Sequence, residues 1–456
     1  MARASATARF RIRRGLDLPL AGAANPERIE AGPPVASVAL LGADAPGVRP
    51  ELRVQPGDRV RVGQTLFVDR RRPEIRFTAP GTGVVRSIER GARRRLEAIV
   101  IDLRGDDSER FDPVRACDVA ELPRERVEAL LLASGLWTAL RTRPFSRIPD
   151  PGSAPHAIFV TAIETDPLAP PAERIVKERG EDFSLGVAAL TRLTSGLVHV
   201  CARPDAGLAL PELERVALAE FDGPHPAGLP GTHIHCLAPV GPERTAWHVG
   251  YAEVLALGRL LVSGRPCVER IVALAGPAIA RPRLVRTRIG ASTEDLVRGS
   301  CRETASRVVS GSVLSGRDAV GAGAYLGRLH TQVCALVEAR AKESRPWLAP
   351  GWRGRARRVF GRPLGAARSL PLTTSLGGRP GAFYPLERLE RVVPGHFLVG
   401  ALLRALVVGD QEAAVALGCL ELAEEDLALV SFLCPGKLDY GALLRAALDE
   451  IERRGA

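Results

Sequence analysis

The stretch VQPGDRVRVGQTL at residues 54–66 and the stretch FTAPGTGVVRSI at residues 77–88 decide the fold of the N-terminal part. In both, apolar residues alternate with polar ones over short runs, which is typical of half-buried strands. The pairs Gly57-Asp58 and Gly63-Gln64 supply turns between strands. Each stretch therefore predicts short strands joined by tight turns.

Together the two stretches resemble the barrel-sandwich hybrid of biotinyl and lipoyl carrier domains, in which two such halves interleave. A carrier needs a lysine at a hairpin tip, and the first lysine of this chain is Lys177. The resemblance implies a carrier-like fold over residues 10–105 that is not biotinylated or lipoylated on lysine.

Strands and helices alternate in the next part of the chain. Pro123 stands near the start of a predicted helix, and Gly135 fits the residue just after its end. Apolar runs then predict strands at Ala157–Ala162, Leu197–Cys201 and His233–Leu237, with helix-like spans such as Pro171–Glu178 between them. This order predicts a Rossmann-like α/β domain with a parallel sheet over residues 115–258.

The last 200 residues indicate two further modules. Ile271–Ile279 and Pro282–Gly290 form a predicted strand, a tight turn and further strands, which resemble the β-grasp module called SLBB, over residues 262–320. Residues 321–456 are predicted to be helical, with Leu444, Leu448 and Ile451 on one face of a helix that ends near Gly455. The fold class is therefore a multidomain mixture of α+β and α/β modules.

Charge and composition exclude some functions. The formal net charge is +11, but the basic residues are dispersed and almost all are arginine. The densest run, Gly351–Arg358, is short and carries one aromatic residue, which favours a solvated or lipid-facing loop over a nucleic-acid site. The longest apolar stretches, such as Phe397–Val408 with Arg404 inside it, are shorter than the roughly 20 residues that cross a bilayer. We expect any membrane association to be peripheral and no nucleic-acid partner.

Candidate metal and redox ligands are few. The eight cysteines are scattered without a CxxC pair, which fits free thiols and argues against a local iron–sulfur framework. His225, His233 and His235 could ligate a metal if the last two share a face of a strand. The prolines and glycines between them favour instead a rigid loop that leads into a strand, with histidines bound to backbone.

Nucleotide and nucleophile motifs are equally sparse. No predicted α/β strand is followed by GxGxxG, and Gly321–Gly327 has the wrong spacing, so a tight loop with a packed Tyr325 is expected there. The position of Cys434 before Pro435-Gly436 favours a buried structural cysteine over a reactive thiol. The acidic run from Glu421 to Asp426 is interpreted as the solvated start of a helix.

The segment Gly135–Arg147 is the remaining candidate site. A quinone headgroup needs a flat apolar wall and a few hydrogen-bond donors. Trp137 and Phe145 could form the wall, and the donors could come from Thr138, Arg141 or Arg143. Packing of Trp137 into a seam between domains explains the same residues equally well.

Over its whole length the chain resembles the NqrA family, the NqrA subunit of the Na⁺-translocating NADH:quinone oxidoreductase. The motifs that carry the resemblance are Gly15–Pro19, Val38–Gly42, Gly135–Ser146, Gly223–His235, Pro282–Thr287, Tyr325–Arg328 and Leu417–Leu422. The carrier-like and SLBB modules are also similar to those of RnfC and of the NADH-binding subunit of respiratory complex I.

The resemblance implies a peripheral subunit on the cytoplasmic side of a bacterial inner membrane, with five partner subunits, B to F. FAD, FMN, riboflavin and a 2Fe-2S centre would lie on the partners, and this chain would hold no cofactor, no metal and no complete active site. It would contribute to binding ubiquinone through segments that match Leu41–Val48 and Leu140–Arg147. The quinone-proximal residues expected from these segments and from the aromatic wall are Leu41, Gly42, Gly47, Val48, Trp137, Leu140, Arg141, Arg143 and Phe145.

Two alternatives remain beside this interpretation. An RnfC-like electron-transfer subunit requires ferredoxin-type cysteine spacing in the last third, which Cys419 and Cys434 do not provide. A pure assembly module would make no quinone contact. Two departures from the family pattern, the missing aromatic near Ala45 and Leu140 in place of a frequent Phe, both remove ring surface from the expected quinone neighbourhood.

Overall fold

The computed structural model describes residues 7–302, 305–339, 369–376, 381–383 and 387–455. These residues form a barrel-sandwich module, an α/β module, a β-grasp module and a helical C-terminal region, which confirms the predicted fold class. The basic run at 351–358 lies outside the described residues.

The barrel-sandwich module consists of two small sheets whose strand orders are β3-β9-β8-β5 and β4-β6-β7. The first nine strands of the chain are β1 (Ala8–Arg11), β2 (Asn25–Ala31), β3 (Ser37–Leu41), β4 (Pro50–Leu52), β5 (Arg59–Val60), β6 (Thr65–Asp69), β7 (Arg72–Thr78), β8 (Gly83–Arg90) and β9 (Leu96–Leu103). Gly57 and Gly63 adopt φ values of 94° and 85°, which confirms the predicted turns because positive φ favours glycine. Phe67 and Phe77 stack in the core with their ring centroids 4.3 Å apart.

The α/β module contains a six-stranded sheet in the order β1-β13-β12-β11-β14-β10, parallel except for the last strand. Its elements are α1 (Arg124–Ser134), β10 (Arg141–Arg143), β11 (Ala157–Ala162), α2 (Ala172–Glu178), α3 (Gly180–Leu190), β12 (Leu197–Ala202), β13 (Val216–Asp222), α4 (Pro230–Leu237), β14 (Ala246–Gly250) and α5 (Tyr251–Ser263). Helix α1 ends at a left-handed Gly135, with φ of 79°, as the sequence predicts.

The predicted strand at His233–Leu237 is wrong, because these residues belong to α4. Pro230 occupies the first turn of this helix, where its missing N–H costs nothing and its fixed φ suits the helix. Residues two apart on a helix point in different directions. His233 and His235 therefore cannot share a face as the strand interpretation supposed.

The β-grasp module forms a second six-stranded sheet in the order β18-β17-β19-β15-β16-β2. Its elements are β15 (Glu269–Ala275), β16 (Arg283–Arg288), α6 (Thr293–Val297), β17 (Ser306–Ser310), β18 (Arg317–Asp318) and β19 (Gln332–Val337). The strand, tight turn and strand predicted at 271–290 are present. Strand β19, however, lies in the range assigned to the helical region, and it pairs with both β15 and β17.

The N-terminal residues leave the barrel-sandwich module, although the sequence pattern assigns residues from 10 onward to it. Strand β1 pairs in parallel with β13 of the α/β sheet, and β2 pairs in parallel with β16 of the β-grasp sheet. Both are edge strands of sheets built mainly from residues far along the chain, so no local pattern announces their partners. The N-terminus thus ties the α/β and β-grasp modules together.

The C-terminal region packs short helices around its own apolar core. They are α7 (Glu387–Glu390), α8 (Val399–Val408), α9 (Gln411–Ala416), α10 (Ala428–Leu433) and α11 (Tyr440–Arg454), with 3₁₀ turns at Cys419–Glu421 and Glu424–Leu427. Leu444, Leu448 and Ile451 of α11 are buried, and Gly455 caps it with φ of 78°, as predicted.

Candidate functional site

The two segments expected near the quinone meet in the structure. The guanidinium of Arg141 donates from Nη2 to the backbone oxygen of Asp44 at 3.1 Å. Gly47 lies against Arg147, whose Nη1 would stand 3.2 Å from a Cβ placed on that glycine. Segments 41–48 and 140–147 therefore form one junction between the barrel-sandwich and α/β modules.

Arg141 is buried at the centre of this junction. Its Nη1 donates to the backbone oxygens of Thr138 at 2.6 Å and Leu140 at 2.9 Å. Burial, assisted by the nearby charge of Arg328, lowers the pKa of Arg141 to about 10. The side chain stays a cation at neutral pH and holds three backbone carbonyls in place.

The loop after β10 is held tightly in an uncommon conformation. Phe145 and Ser146 both have positive φ, 75° and 54°, which is unfavourable for residues with a Cβ and needs support from the surroundings. That support comes from Thr142, whose backbone N–H donates to Arg147 O at 2.8 Å and whose hydroxyl donates to Pro144 O at 2.8 Å. The loop therefore presents Phe145 in one fixed orientation.

Arg143 connects the loop to the C-terminal region. It is fully buried, and its Nη2 lies 2.7 Å from Glu425 Oε1 and 3.5 Å from Asp426 Oδ2. Burial by itself lowers the pKa of Arg143, but the two carboxylates outweigh burial and the pKa is raised. On its other side, Arg143 contacts the Ser146 hydroxyl and His248 Nε2, the latter at 3.0 Å.

The acidic run at 421–426 is predicted from its sequence to be solvated, and this prediction is wrong. Asp426 is buried, and burial raises its pKa to about 7. Glu421 binds His235 Nδ1 at 2.8 Å. These carboxylates pair with basic groups of the α/β module, so sequence reasoning missed them because their partners lie almost 200 or more residues earlier.

Helix α11 holds the same loop from a second direction. Arg147 Nη2 lies 2.7 Å from Asp449 Oδ1 and 2.6 Å from Glu452 Oε2. Arg445 donates from Nη1 to the backbone oxygen of Phe145 at 2.9 Å. The position of the loop therefore depends on the docked C-terminal region.

Asp44 joins the junction to the β-grasp module, a role for which no local sequence signal exists. Its carboxylate lies 2.5 Å from Arg317 Nη2 and accepts the backbone N–H of Arg328 at 3.0 Å. Arg328 Nη2 in turn donates to Gly135 O at 3.2 Å. All four modules thus contribute residues to the junction.

The expected aromatic wall is divided. Trp137 is fully buried, donates from Nε1 to Pro149 O at 2.9 Å and meets Trp247 edge to face at 5.5 Å. Phe145 is only partly buried and packs against the C-terminal core. The two rings pack in different clusters, and the packing alternative describes Trp137.

The other expected residues differ in exposure. Leu41 and Leu140 are buried, whereas Gly42 and Val48 are partly exposed and Gly47 is exposed. The accessible surface of the junction is therefore carried by Gly47, Val48, Phe145 and Arg147, of which Arg147 was recognised only as the end of a segment.

The three histidines face different partners. His225 Nδ1 lies 3.2 Å from the Thr165 hydroxyl, and His233 Nε2 lies 3.0 Å from Ala227 O. His235 pairs with Glu421 instead. Among the described residues there is no group of three His, Cys, Asp or Glu side chains placed to hold a metal ion.

A second polar cluster lies at the carboxyl ends of β11 and β14. The chain runs from β11 to β12 and β13 on one side and reaches β14 on the other, so this is the switch point where open α/β sheets bind ligands. Glu164 follows β11, and Tyr251 follows β14 with a buried hydroxyl that has no hydrogen-bond partner among the described groups. Burial raises the pKa of Glu164 to about 8, and Asp166 adds to this shift.

We expect Glu164→Gln to make unfolding less dependent on pH. The glutamate binds its proton more tightly in the folded state, so its contribution to stability is lost as pH rises from about 4.5 through 8. The variant should match the parent near pH 5 and exceed its free energy of unfolding by about 2 kcal/mol near pH 8.5. Urea unfolding at both pH values measures this, with exposed Glu214→Gln as the control. Equal pH dependence in parent and variant would contradict a protonated Glu164.

No helix in the described part of the chain combines the length and apolar character needed to cross a bilayer.

Comparisons with known proteins identify each of the first three modules. Family models match in order: NqrA N-terminal barrel-sandwich hybrid domain at residues 10–104, NqrA second alpha/beta domain at 122–266 and NQRA C-terminal domain at 271–321. The fold and its four-module junction thus define a multidomain subunit of a respiratory oxidoreductase.

Full-length relatives are the NqrA subunits of the Na⁺-translocating NADH-quinone reductase from Pseudomonas aeruginosa, Klebsiella pneumoniae and Cellvibrio japonicus, which are 48%, 48% and 47% identical. Each match covers 98% of this chain and 100% of the relative. The chain belongs to the NqrA family of Na⁺-translocating NADH-quinone reductase subunits, and the resemblance seen in the sequence is confirmed.

Among solved structures, an NAD⁺-reducing NiFe-hydrogenase aligns over 51% of this chain and 52% of its own, with 16% identity and a TM-score of 0.35.

Proposed function

We propose that this chain is the peripheral, quinone-proximal subunit of a six-subunit complex that oxidises NADH, reduces ubiquinone and exports Na⁺. In this proposal it lies on the cytoplasmic side of a bacterial inner membrane. The five partner subunits, B to F, carry FAD, FMN, riboflavin and the 2Fe-2S centre. The proposal is supported by the family membership and, most directly, by the meeting of segments 41–48 and 140–147 through Arg141 and Asp44.

The junction offers groups that suit a quinone headgroup. Reduction of a quinone to a quinol takes up two electrons and two protons, and the electrons would arrive from a cofactor on a partner subunit. Phe145 and Val48 present apolar surface, and Arg147 presents N–H donors that a carbonyl oxygen can accept. The chain would therefore orient the headgroup rather than deliver electrons.

The residues present do not suit a flavin or iron–sulfur cofactor on this chain. Cys419 and Cys434 of the C-terminal region are both fully buried, and Cys434 Sγ lies 3.6 Å from the Tyr440 hydroxyl. At the switch point of the α/β sheet, Glu164 and Glu253 stand where a cofactor phosphate would need donors. These observations support a subunit without its own redox centre.

We expect Phe145→Leu in the intact complex to raise KM for ubiquinone-1 about three- to tenfold, because a stacking ring contributes about 0.5–1.5 kcal/mol beyond its area. NADH oxidation with an artificial acceptor that bypasses the quinone should be unchanged. The measurement is steady-state quinone reduction by the purified complex. Phe10→Leu is the control, since Phe10 stacks on Phe221 near the opposite edge of the α/β sheet at 5.0 Å.

An unchanged quinone KM and unchanged inhibitor sensitivity in the Phe145→Leu complex, with all subunits present, would argue for the assembly module instead.

A further inference from the structure

An open cleft with a volume of about 780 Å³ lies on the barrel-sandwich module. It is lined by Arg59, Val60, Arg61, Gln64, Thr82, Gly83, Val84, Arg104, Asp107, Ser108, Glu109 and Arg110. None of these residues belongs to the quinone-proximal junction. The volume falls within the range of small-molecule sites, but its lining is mostly polar, which indicates a charged ligand.

The charges in the lining are unbalanced. Arg61 is paired, with its Nε 2.8 Å from Glu109 Oε1. Arg59, Arg104 and Arg110 are exposed, and none of them forms an ion pair or side-chain hydrogen bond with another residue in the described ranges. Three guanidinium groups therefore line one concavity without a protein anion to neutralise them.

The backbone that carries these arginines is fixed by hydrogen bonds. The buried hydroxyl of Thr82 accepts the Val62 N–H at 3.1 Å and donates to Asp107 O. The backbone oxygen of Thr82 accepts the Arg104 N–H at 2.8 Å, and Arg59 pairs with Val84 in the sheet. Because the lining is already ordered, a ligand loses less free energy in ordering it.

We propose that this cleft binds a small molecule that carries phosphate groups, such as a diphosphate ester. Guanidinium groups match phosphate oxygens with paired N–H donors and keep their charge at all relevant pH values. Four arginines against two acids leave the lining with a surplus of two positive charges, which suits a multiply charged phosphate. A bounded concavity on one module favours a compact ligand over an extended acidic polypeptide.

Inorganic pyrophosphate is the probe, titrated calorimetrically into the full chain at about 0.15 M salt, where weak surface attraction is screened. We expect saturable binding of one pyrophosphate per chain. Arg104→Ala should weaken it about tenfold, and Arg59→Glu with Arg104→Glu at least about 100-fold. The matched control is Arg93→Glu with Arg94→Glu, which makes the same charge change at the exposed β8–β9 hairpin tip and should alter binding less than about threefold.

Equal weakening by the two double variants would show a general charge effect and overturn the proposal. So would the absence of saturable pyrophosphate binding, or saturable binding of a hexa-aspartate peptide alone, which would assign the cleft to an acidic polypeptide. Melting temperatures of all variants identify any loss of folding, and the single Arg104→Ala variant decides if a double variant unfolds. The quinone KM should be unchanged in every cleft variant, so this test is independent of the proposed function.

Discussion

Arg143→Met is expected to lower the free energy of unfolding by about 3–5 kcal/mol, because removing one partner leaves buried charges unpaired. Methionine keeps the apolar stem but cannot bind Glu425 and Asp426, which lie 2.7 and 3.5 Å from the guanidinium. Urea unfolding of the full chain near pH 7.5 measures the loss.

The penalty should shrink as pH falls, since the unpaired carboxyls can then take up protons; Asp426 already has a pKa of about 7 beside Arg143. Arg391→Met is the control. Its pair with Glu387 is exposed on both sides and within one helical turn, so its removal should cost about 0.3–0.5 kcal/mol. If both variants lose the same small amount, the Arg143 cluster does not hold the C-terminal region in place.

Gly42→Ala is expected to lower the free energy of unfolding by about 3 kcal/mol through overpacking. A Cβ at residue 42 would overlap the backbone oxygen of Leu96, and backbone cannot move aside as a flexible side chain can. The strand pair β3–β9 must separate locally. Asp44 then moves away from Arg141, so the quinone KM of the assembled complex should rise as well.

Gly241→Ala is the matched control, because a Cβ there has nothing within 4 Å. It should change the free energy of unfolding by less than about 0.5 kcal/mol. Thermal and urea unfolding of both variants test the pair. A Gly42→Ala protein that melts with the parent would mean that β3 and β9 have more freedom than their hydrogen-bonded register indicates.

Local chemistry made much of the fold predictable. The turns at Gly57 and Gly63 and the helix end at Gly135 require backbone conformations that glycine adopts readily, so the residue type itself announces the structure. The apolar face of α11 follows from its helical spacing. These features depend on neighbours within a few residues, which a single sequence displays.

The junction was predictable only in part. The family resemblance pointed to segments 41–48 and 140–147, but nothing local shows that Asp44 binds Arg317 or that Arg143 binds Glu425. An acidic run before a helix looks solvated unless its distant basic partner is known. Trp137 illustrates the same limit, since an aromatic residue that could line a ligand site is, in the folded chain, a core residue against Trp247.

The placement of β1 and β2 has a consequence for biosynthesis. The barrel-sandwich strands between residues 37 and 103 can pair among themselves as soon as they emerge from the ribosome. Residues 8–11 and 25–31 emerge earlier, yet must wait for β13 and β16 to be translated before they find their places. Two unpaired strand edges are exposed to other nascent chains during that interval, which is where the folding of this chain is most vulnerable to aggregation.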